Sequence, residues 1–203
     1  MPTYFLTGAN RGIGLEFVRQ LSSNPQTTII AGVRSKANND NISALEALNT
    51  HNNVHIIECD VSSADSLSSL SFRVAEILSR TASNLDFLFN IAGINSTSTD
   101  TSLTLSAESL HAHMSTNVLG PAKIVESLSG YLARGAVVMN MTSGLGSLTV
   151  ATDVTKCCSY SMSKAALNML TLHQARDLKA SGVRVVCMDP GWFRGSMNIG
   201  VES

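Results

Sequence analysis

The chain has 203 residues and a net charge of -1 at pH 7, enough for a single domain spanning 1–203 with a well-filled core. So balanced a charge argues against nucleic acid or a membrane surface as the main partner, and its apolar runs fall far below the ~20 residues of a membrane span, so a cytoplasmic protein with a small-molecule partner is expected. Cys59, Cys157, Cys158 and Cys187 lack metal-ligand spacing and read as reduced thiols, with no metal site expected.

Tyr4-Phe5-Leu6 reads as a strand running into Thr7-Gly8. Gly8, Gly12 and Gly14 follow, then Leu15, Phe17, Val18 and Leu21 at helical spacing, so strand, tight turn and helix succeed one another. Such a turn cradles phosphate: glycine brings bare backbone close to a ligand, and the N–H groups at the helix start attract anionic oxygens. Asn10, Arg11 and Ile13 complete the turn, whose spacing is G-x-x-x-G-x-G rather than G-x-G-x-x-G.

A second strand over 27–33 ends at Arg34. In nucleotide folds of this kind the residue about 20 positions past the glycine turn faces the adenine ribose, where an acid takes the 2′-hydroxyl and an arginine accommodates a 2′-phosphate. Arg34 stands there with Lys36 behind it, no acid occurs until Asp40, and Arg11 could close on the same phosphate, which points to NADP(H). The plainer alternative makes Arg11 and Arg34 solvated surface charges.

A polar helix over 41–49 leads to a third strand, Val54 to Cys59, with Asp60-Val61 at its carboxyl end and a helix start at Ser62 to Asp65. Asp60 either accepts from the adenine amino group or merely caps that helix. An amphipathic helix over 67–78 and a fourth strand, Leu85 to Asn90, run into Ile91-Ala92-Gly93, small residues that let backbone pass close to a flat ring. Three strand-helix units and a fourth strand imply a doubly wound parallel sheet, a Rossmann-type three-layer α/β/α fold, with ligands at the strands' carboxyl ends.

The Ser/Thr-rich stretch 95–106 reads as a surface loop beside the site. The helix predicted over about 106–129 carries Asn117 and Pro121, poor interior residues that suggest a kink freeing a backbone carbonyl near Asn117. A fifth strand over 136–141 delivers Ser143, a helix from Ser159 carries Tyr160 and Lys164 one turn apart on one face, and a sixth strand over 183–188 ends in Asp189-Pro190-Gly191.

Ser143, Tyr160 and Lys164 are the groups that would make such a fold an enzyme. A phenol titrates near 10, so proton exchange at neutral pH asks its pKa to fall by about 3, which is roughly 4 kcal/mol in favour of the phenolate. One ammonium about 4 Å away supplies that at an intermediate dielectric. Tyr160 would donate its proton to a carbonyl oxygen that Ser143 steadies, while Lys164 lowers the phenol pKa and Asn117 holds a water leading to solvent.

In its ordered motifs the chain resembles a short-chain dehydrogenase/reductase. Thr7 to Gly14 match the family's T-G-x-x-x-G-x-G, Asn90 to Gly93 its N-N-A-G with Ile91 as the one change, Asn117, Ser143, Tyr160 and Lys164 its catalytic tetrad, and Pro190-Gly191 its P-G turn. Arg34, the Asn-Arg glycine turn and Pro-Gly-Trp further resemble NADPH-dependent carbonyl-reductase-like members. The resemblance implies reduction of a ketone or aldehyde by the 4-pro-S hydride of NADPH. It places cofactor contacts at Gly8, Asn10, Arg11, Gly12, Ile13, Gly14, Arg34, Asp60, Val61, Asn90, Ala92, Gly93, Tyr160, Lys164, Pro190 and Gly191. It also implies a homodimer through the helices bearing Asn117 and Tyr160. Gly195 stands where relatives carry a threonine on the carboxamide, with Ser196 as a substitute, and the chain stops at Ser203 where relatives usually continue, which would leave the sixth strand at an edge. A catalytically weak or inactive nucleotide-binding protein on the same fold is the alternative reading.

Overall fold

The computed structural model describes residues 1–35 and 39–191, with the side chains of 39–41 not described. Lys36, Trp192, Gly195 and Ser196, singled out in the sequence, lie outside the described residues, as does the Asp40 side chain.

Six strands, β1 (Thr3–Thr7), β2 (Thr28–Val33), β3 (Val54–Glu58), β4 (Leu85–Asn90), β5 (Leu132–Met141) and β6 (Arg184–Met188), form one sheet in the order β3-β2-β1-β4-β5-β6. Every neighbouring pair is parallel. The helices are α1 (Gly12–Ser22), α2 (Asn39–Leu48), α3 (Ala64–Ser68), α4 (Leu70–Thr81), α5 (Ala107–Met114), α6 (Gly120–Leu128) and α7 (Cys158–Asp177). This is the doubly wound order that the strand-helix alternation predicts.

The sheet is buried on two faces, and strand alternation decides which residue goes where. Phe5, Ile30, Leu88 and Val138 point into a core closed by Leu70, Val74 and Ile77 of α4 and by Ile124 and Leu128 of α6. Leu6, Ile29, Ala31 and Val33 point the other way, into a core with Val18 of α1 and Leu45 of α2. The β6 strand lies at the sheet's edge, with Val186 and Met188 exposed. Among the described residues no helix is long and apolar enough to cross a membrane.

Three elements differ from the sequence expectation. The 67–78 helix is two, α3 and α4, divided at Ser69. The fifth strand begins four residues early, at Leu132; Arg134 and Gly135 interrupt the apolar run, and Gly135 takes a φ of 89°, backbone that glycine adopts freely. The predicted kink is a five-residue π-turn, Ser115–Leu119, joining α5 to α6. Its Gly120 N–H reaches back to the Ser115 carbonyl, and Pro121, having no N–H, cannot satisfy the carbonyls of that turn.

A buried polar chain ties the sheet to α7. Asn90 Nδ2 donates to Asn140 Oδ1 at 2.8 Å, and Asn140 Nδ2 donates to Thr171 Oγ1 and Gln174 Oε1, each at 2.9 Å. Asn140→Ala would strand the partners of three buried hydrogen bonds, so we expect a loss of about 1–3 kcal/mol in urea unfolding. A loss no larger than that of a surface Asn→Ala control would contradict this reading.

Candidate active site

The glycine turn sits where the sheet reverses its winding, between β1 and β4. Gly8 and Gly12 hold φ of 65° and 53°. A Cβ on Gly14 would stand 2.2 Å from the Gly8 carbonyl oxygen, and one on Gly8 would stand 3.1 Å from Ala92 Cα. The Thr7 hydroxyl accepts from the amides of Ile91 and Ala92 at 3.0 and 3.1 Å, locking the two strand ends together. At the start of α1, Arg11 is extended, no side chain caps the helix and its first turn holds no acid. The amides of Gly12, Ile13 and Gly14 are thereby presented bare, an arrangement that fits a dinucleotide's pyrophosphate.

Arg11 and Arg34 are exposed, and neither has a carboxylate partner among the described residues. Asp60 is engaged locally: its carboxylate accepts from the Ser62 amide at 2.9 Å and the Ser62 hydroxyl at 2.7 Å, while Ser63 caps α3. Val61 is buried, and its carbonyl lies against Gly120, where a Cβ would come within 2.7 Å.

Asn117, Ser143, Tyr160 and Lys164, the expected catalytic residues, lie beside this cradle, past the ends of β4 and β5. Lys164 is 4% exposed and donates to the Met141 carbonyl at 2.7 Å, with Nζ 5.5 Å from the centroid of the Tyr160 ring. Burial pushes its pKa down to about 8. Gly93 passes so near that a Cβ would stand 3.6 Å from Lys164 Nζ and 3.2 Å from Asn117 Oδ1. Gly146 is pressed beneath the same lysine, with room for no Cβ, 2.7 Å from the Lys164 carbonyl carbon. Ser143 Oγ accepts from the Leu145 amide at 3.2 Å, and its hydrogen bonding draws the Tyr160 pKa partly back down.

The expected electrostatics of the pair are not met in this arrangement. The Tyr160 pKa is raised, chiefly by burial, with smaller upward pushes from Asp189 and Cys157. Lys164 cannot offset them because it is itself desolvated, beside the ring, and bonded to a backbone carbonyl.

Asn117 is fully buried and spends its side chain on structure: Oδ1 accepts from the Ile94 amide at 2.9 Å, and Nδ2 donates to the Ile94 carbonyl at 3.0 Å and to Ser163 Oγ at 2.9 Å. Asn90, expected among the cofactor contacts, points its side chain to Asn140 and the α7 side of the sheet. Pro190 and Gly191 follow β6, the latter with φ of 70° and its amide on Asp189 Oδ1 at 3.0 Å. The sequence reading missed Thr7 as a clamp, Gly146 as a floor and Asp100, which reaches α7 from the 95–106 loop. Thr7 alone had a signal, its place just before the glycine turn.

Comparison with known proteins agrees with this geometry. A family model described as short chain dehydrogenase matches residues 3–203. An uncharacterized oxidoreductase of Schizosaccharomyces pombe is 31% identical over 193 residues, 94% of this chain and 73% of the relative. An NADPH-bound carbonyl reductase from chicken fatty liver superposes with a TM-score of 0.89 at 27% identity, covering 100% of this chain and 84% of that one. The carbonyl reductase Sniffer of Drosophila melanogaster gives 0.85 at 28%, covering 97% and 83%.

The buried lysine sets a pH dependence on stability. Below pH 8 the folded chain carries the ammonium at a cost; above it the folded state releases a proton that the unfolded chain keeps until 10.5, so stability rises with pH across that window, by about 3 kcal/mol at most. Tyr160 opposes this only above 10, where the unfolded phenol ionises first. Urea unfolding of the ligand-free protein should show this gain in the wild type and not in Lys164→Met; parallel pH profiles would contradict it.

Proposed function

The chain belongs to the short-chain dehydrogenase family, and on that premise we propose that it reduces a ketone or aldehyde to an alcohol with NADPH, or oxidises the alcohol with NADP⁺. The observation that carries this reading is the convergence of Ser143, Tyr160 and Lys164 beside a bare-backbone phosphate cradle. The amides of Gly12, Ile13 and Gly14 would hold the pyrophosphate, Arg34 and Arg11 the 2′-phosphate, and the backbone at Ala92 and Gly93 the ribose and ring. When bound, NADPH supplies the hydride for the carbonyl carbon.

The protein's own part is the proton and the developing charge. Ser143 Oγ donates to the carbonyl oxygen, and Tyr160 Oη gives it a proton. A phenol raised above its ordinary pKa is fully protonated at neutral pH, which is the state that reduction needs. Oxidation needs the phenolate, so the same burial disfavours it until the pH is high or the site gains positive charge. Lys164 has three N–H donors, one of them on Met141; the other two would hold the ribose hydroxyls. Met162, Met169 and Leu172 of α7 and Leu119 of the π-turn are exposed, which supports pairing of two copies through α7 and the Asn117-bearing segment.

Steady-state assays against a panel of ketones and aldehydes test the reading. Tyr160→Phe is expected to lose about 10²-fold or more in kcat while still binding NADPH; wild-type turnover unchanged by that substitution on every substrate would exclude the proton-donor role. Arg34→Asp should weaken NADPH binding at least about tenfold while leaving NADH within about twofold. A wild-type preference for NADH would contradict the assignment of the 2′-phosphate to Arg34.

A further inference from the structure

The helix that carries Tyr160 and Lys164 has no cap of its own. Its N-cap residue, Cys157, is in the left-handed region with φ of 60°, its side chain makes no capping bond, and the first turn holds no acid. The missing acceptor comes from the 95–106 loop. Asp100 Oδ2 accepts from the Ser159 amide at 3.1 Å and also from the Ser159 hydroxyl, and the Asp100 carbonyl accepts from the Cys158 amide at 3.2 Å. Asp100 is 4% exposed, and its other carboxylate oxygen, Oδ1, is buried with no hydrogen-bond partner.

The same junction is tied at further points. Cys157 Sγ donates to the Ser98 carbonyl at 3.1 Å, and Ser109 Oγ lies 2.9 Å from both Ser159 Oγ and Thr97 Oγ1. His113, whose Nδ1 is 2.7 Å from the Ser109 carbonyl, meets the Tyr160 ring edge to face at 6.4 Å. A buried carboxylate with no ion-pair partner among the described residues is costly, and a local serine or threonine cap would have stabilised α7 more cheaply. Drawing the cap from the loop instead sets the height of the first turn, and therefore of Tyr160, against the 95–106 segment and α5.

We propose that Asp100 is a positioning residue for catalysis: by capping α7 through Ser159 it holds the Tyr160 phenol in register with Ser143. This rests on Tyr160 being the proton donor. Asp100→Asn preserves the geometry, since its amide oxygen can stand where Asp100 Oδ2 does and accept from both the Ser159 amide and the Ser159 hydroxyl, its NH₂ taking the place of the partnerless oxygen. Asp100→Ala removes the cap. The glycine cradle lies on α1 and Arg34 follows β2, so the pyrophosphate and 2′-phosphate contacts are untouched by either change; the Lys164 ribose contact, a turn beyond Tyr160, does lie on the capped helix, so NADPH affinity is expected to change far less than kcat.

The test measures kcat, KM and NADPH affinity for wild type, Asp100→Ala, Asp100→Asn and Ser159→Ala, together with the ¹³Cζ NMR signal of Tyr160, one of 3 tyrosines. Asp100→Ala should lower kcat about tenfold or more with NADPH affinity within about twofold, and shift the Tyr160 signal; Asp100→Asn should restore both. An Asp100→Ala enzyme with unchanged kcat and an unmoved signal overturns the proposal, as does one whose NADPH affinity falls in parallel with kcat. If Asp100→Ala does not fold, Ser159→Ala decides: a kcat loss with a shifted signal supports the proposal, and no change in either overturns it. Should the wild type turn over nothing, the proton-donor reading has failed, and the Tyr160 signal still shows whether Asp100 places that ring.

Discussion

The buried ammonium of Lys164 is held at a desolvation cost, and the surrounding structure accommodates it. A lysine so enclosed has given up proton affinity, and it keeps one strong acceptor, the Met141 carbonyl at the end of β5. Two glycines make the space: Gly93 leaves the flank near Nζ open, and Gly146 lets the loop after Ser143 press on the helix backbone. Asn117 fixes the flank by holding Ile94 in both directions. A stable protein has no need of this arrangement. It becomes intelligible once the unused N–H donors of Lys164 are directed to a ligand in the cleft.

Close approach of backbone runs through the rest of the site. Gly8 against Ala92 and Gly14 against Gly8 bring the ends of β1 and β4 together where the winding reverses, and Thr7 holds them there. The cradle and the Lys164–Asn117 pair are therefore joined by one segment, the turn after β4, whose Ala92 touches Gly8 and whose Gly93 touches Lys164 and Asn117. On the far side of β5, Asn140 couples the strand leading to Ser143 to the helix carrying Tyr160. Helix α7, which carries Tyr160, is thus held by buried hydrogen bonds toward both of its ends.

Much of this is legible in the residues because periodicity and glycine spacing act locally. Strand-helix alternation implies the winding, and the four-residue spacing of Tyr160 and Lys164 puts them on one helix face. What the spacing does not convey is burial. The expectation that Lys164 acidifies Tyr160 assumes a charged neighbour at short range, whereas desolvation acts on both groups and outweighs their mutual effect in this arrangement. Asn90 reads as a cofactor contact from its place in the motif, and what the motif does not convey is that its side chain donates to Asn140 on the neighbouring strand. Pro121 announces a disturbed helix but not its form, since a kink and a π-turn both answer to a missing N–H. Asp100 lies in a polar loop with no period at all, and its partner is 59 residues away.

A protein that keeps a lysine at such cost should show it in the lysine itself. NMR titration of Lys164 Nζ in the ligand-free protein and in its NADPH complex measures this directly. The account predicts titration near 8 in the free protein and a clear rise when NADPH is bound and its ribose hydroxyls accept the free N–H groups. A free-protein value at the ordinary 10.5, or one that does not move on binding, would contradict it.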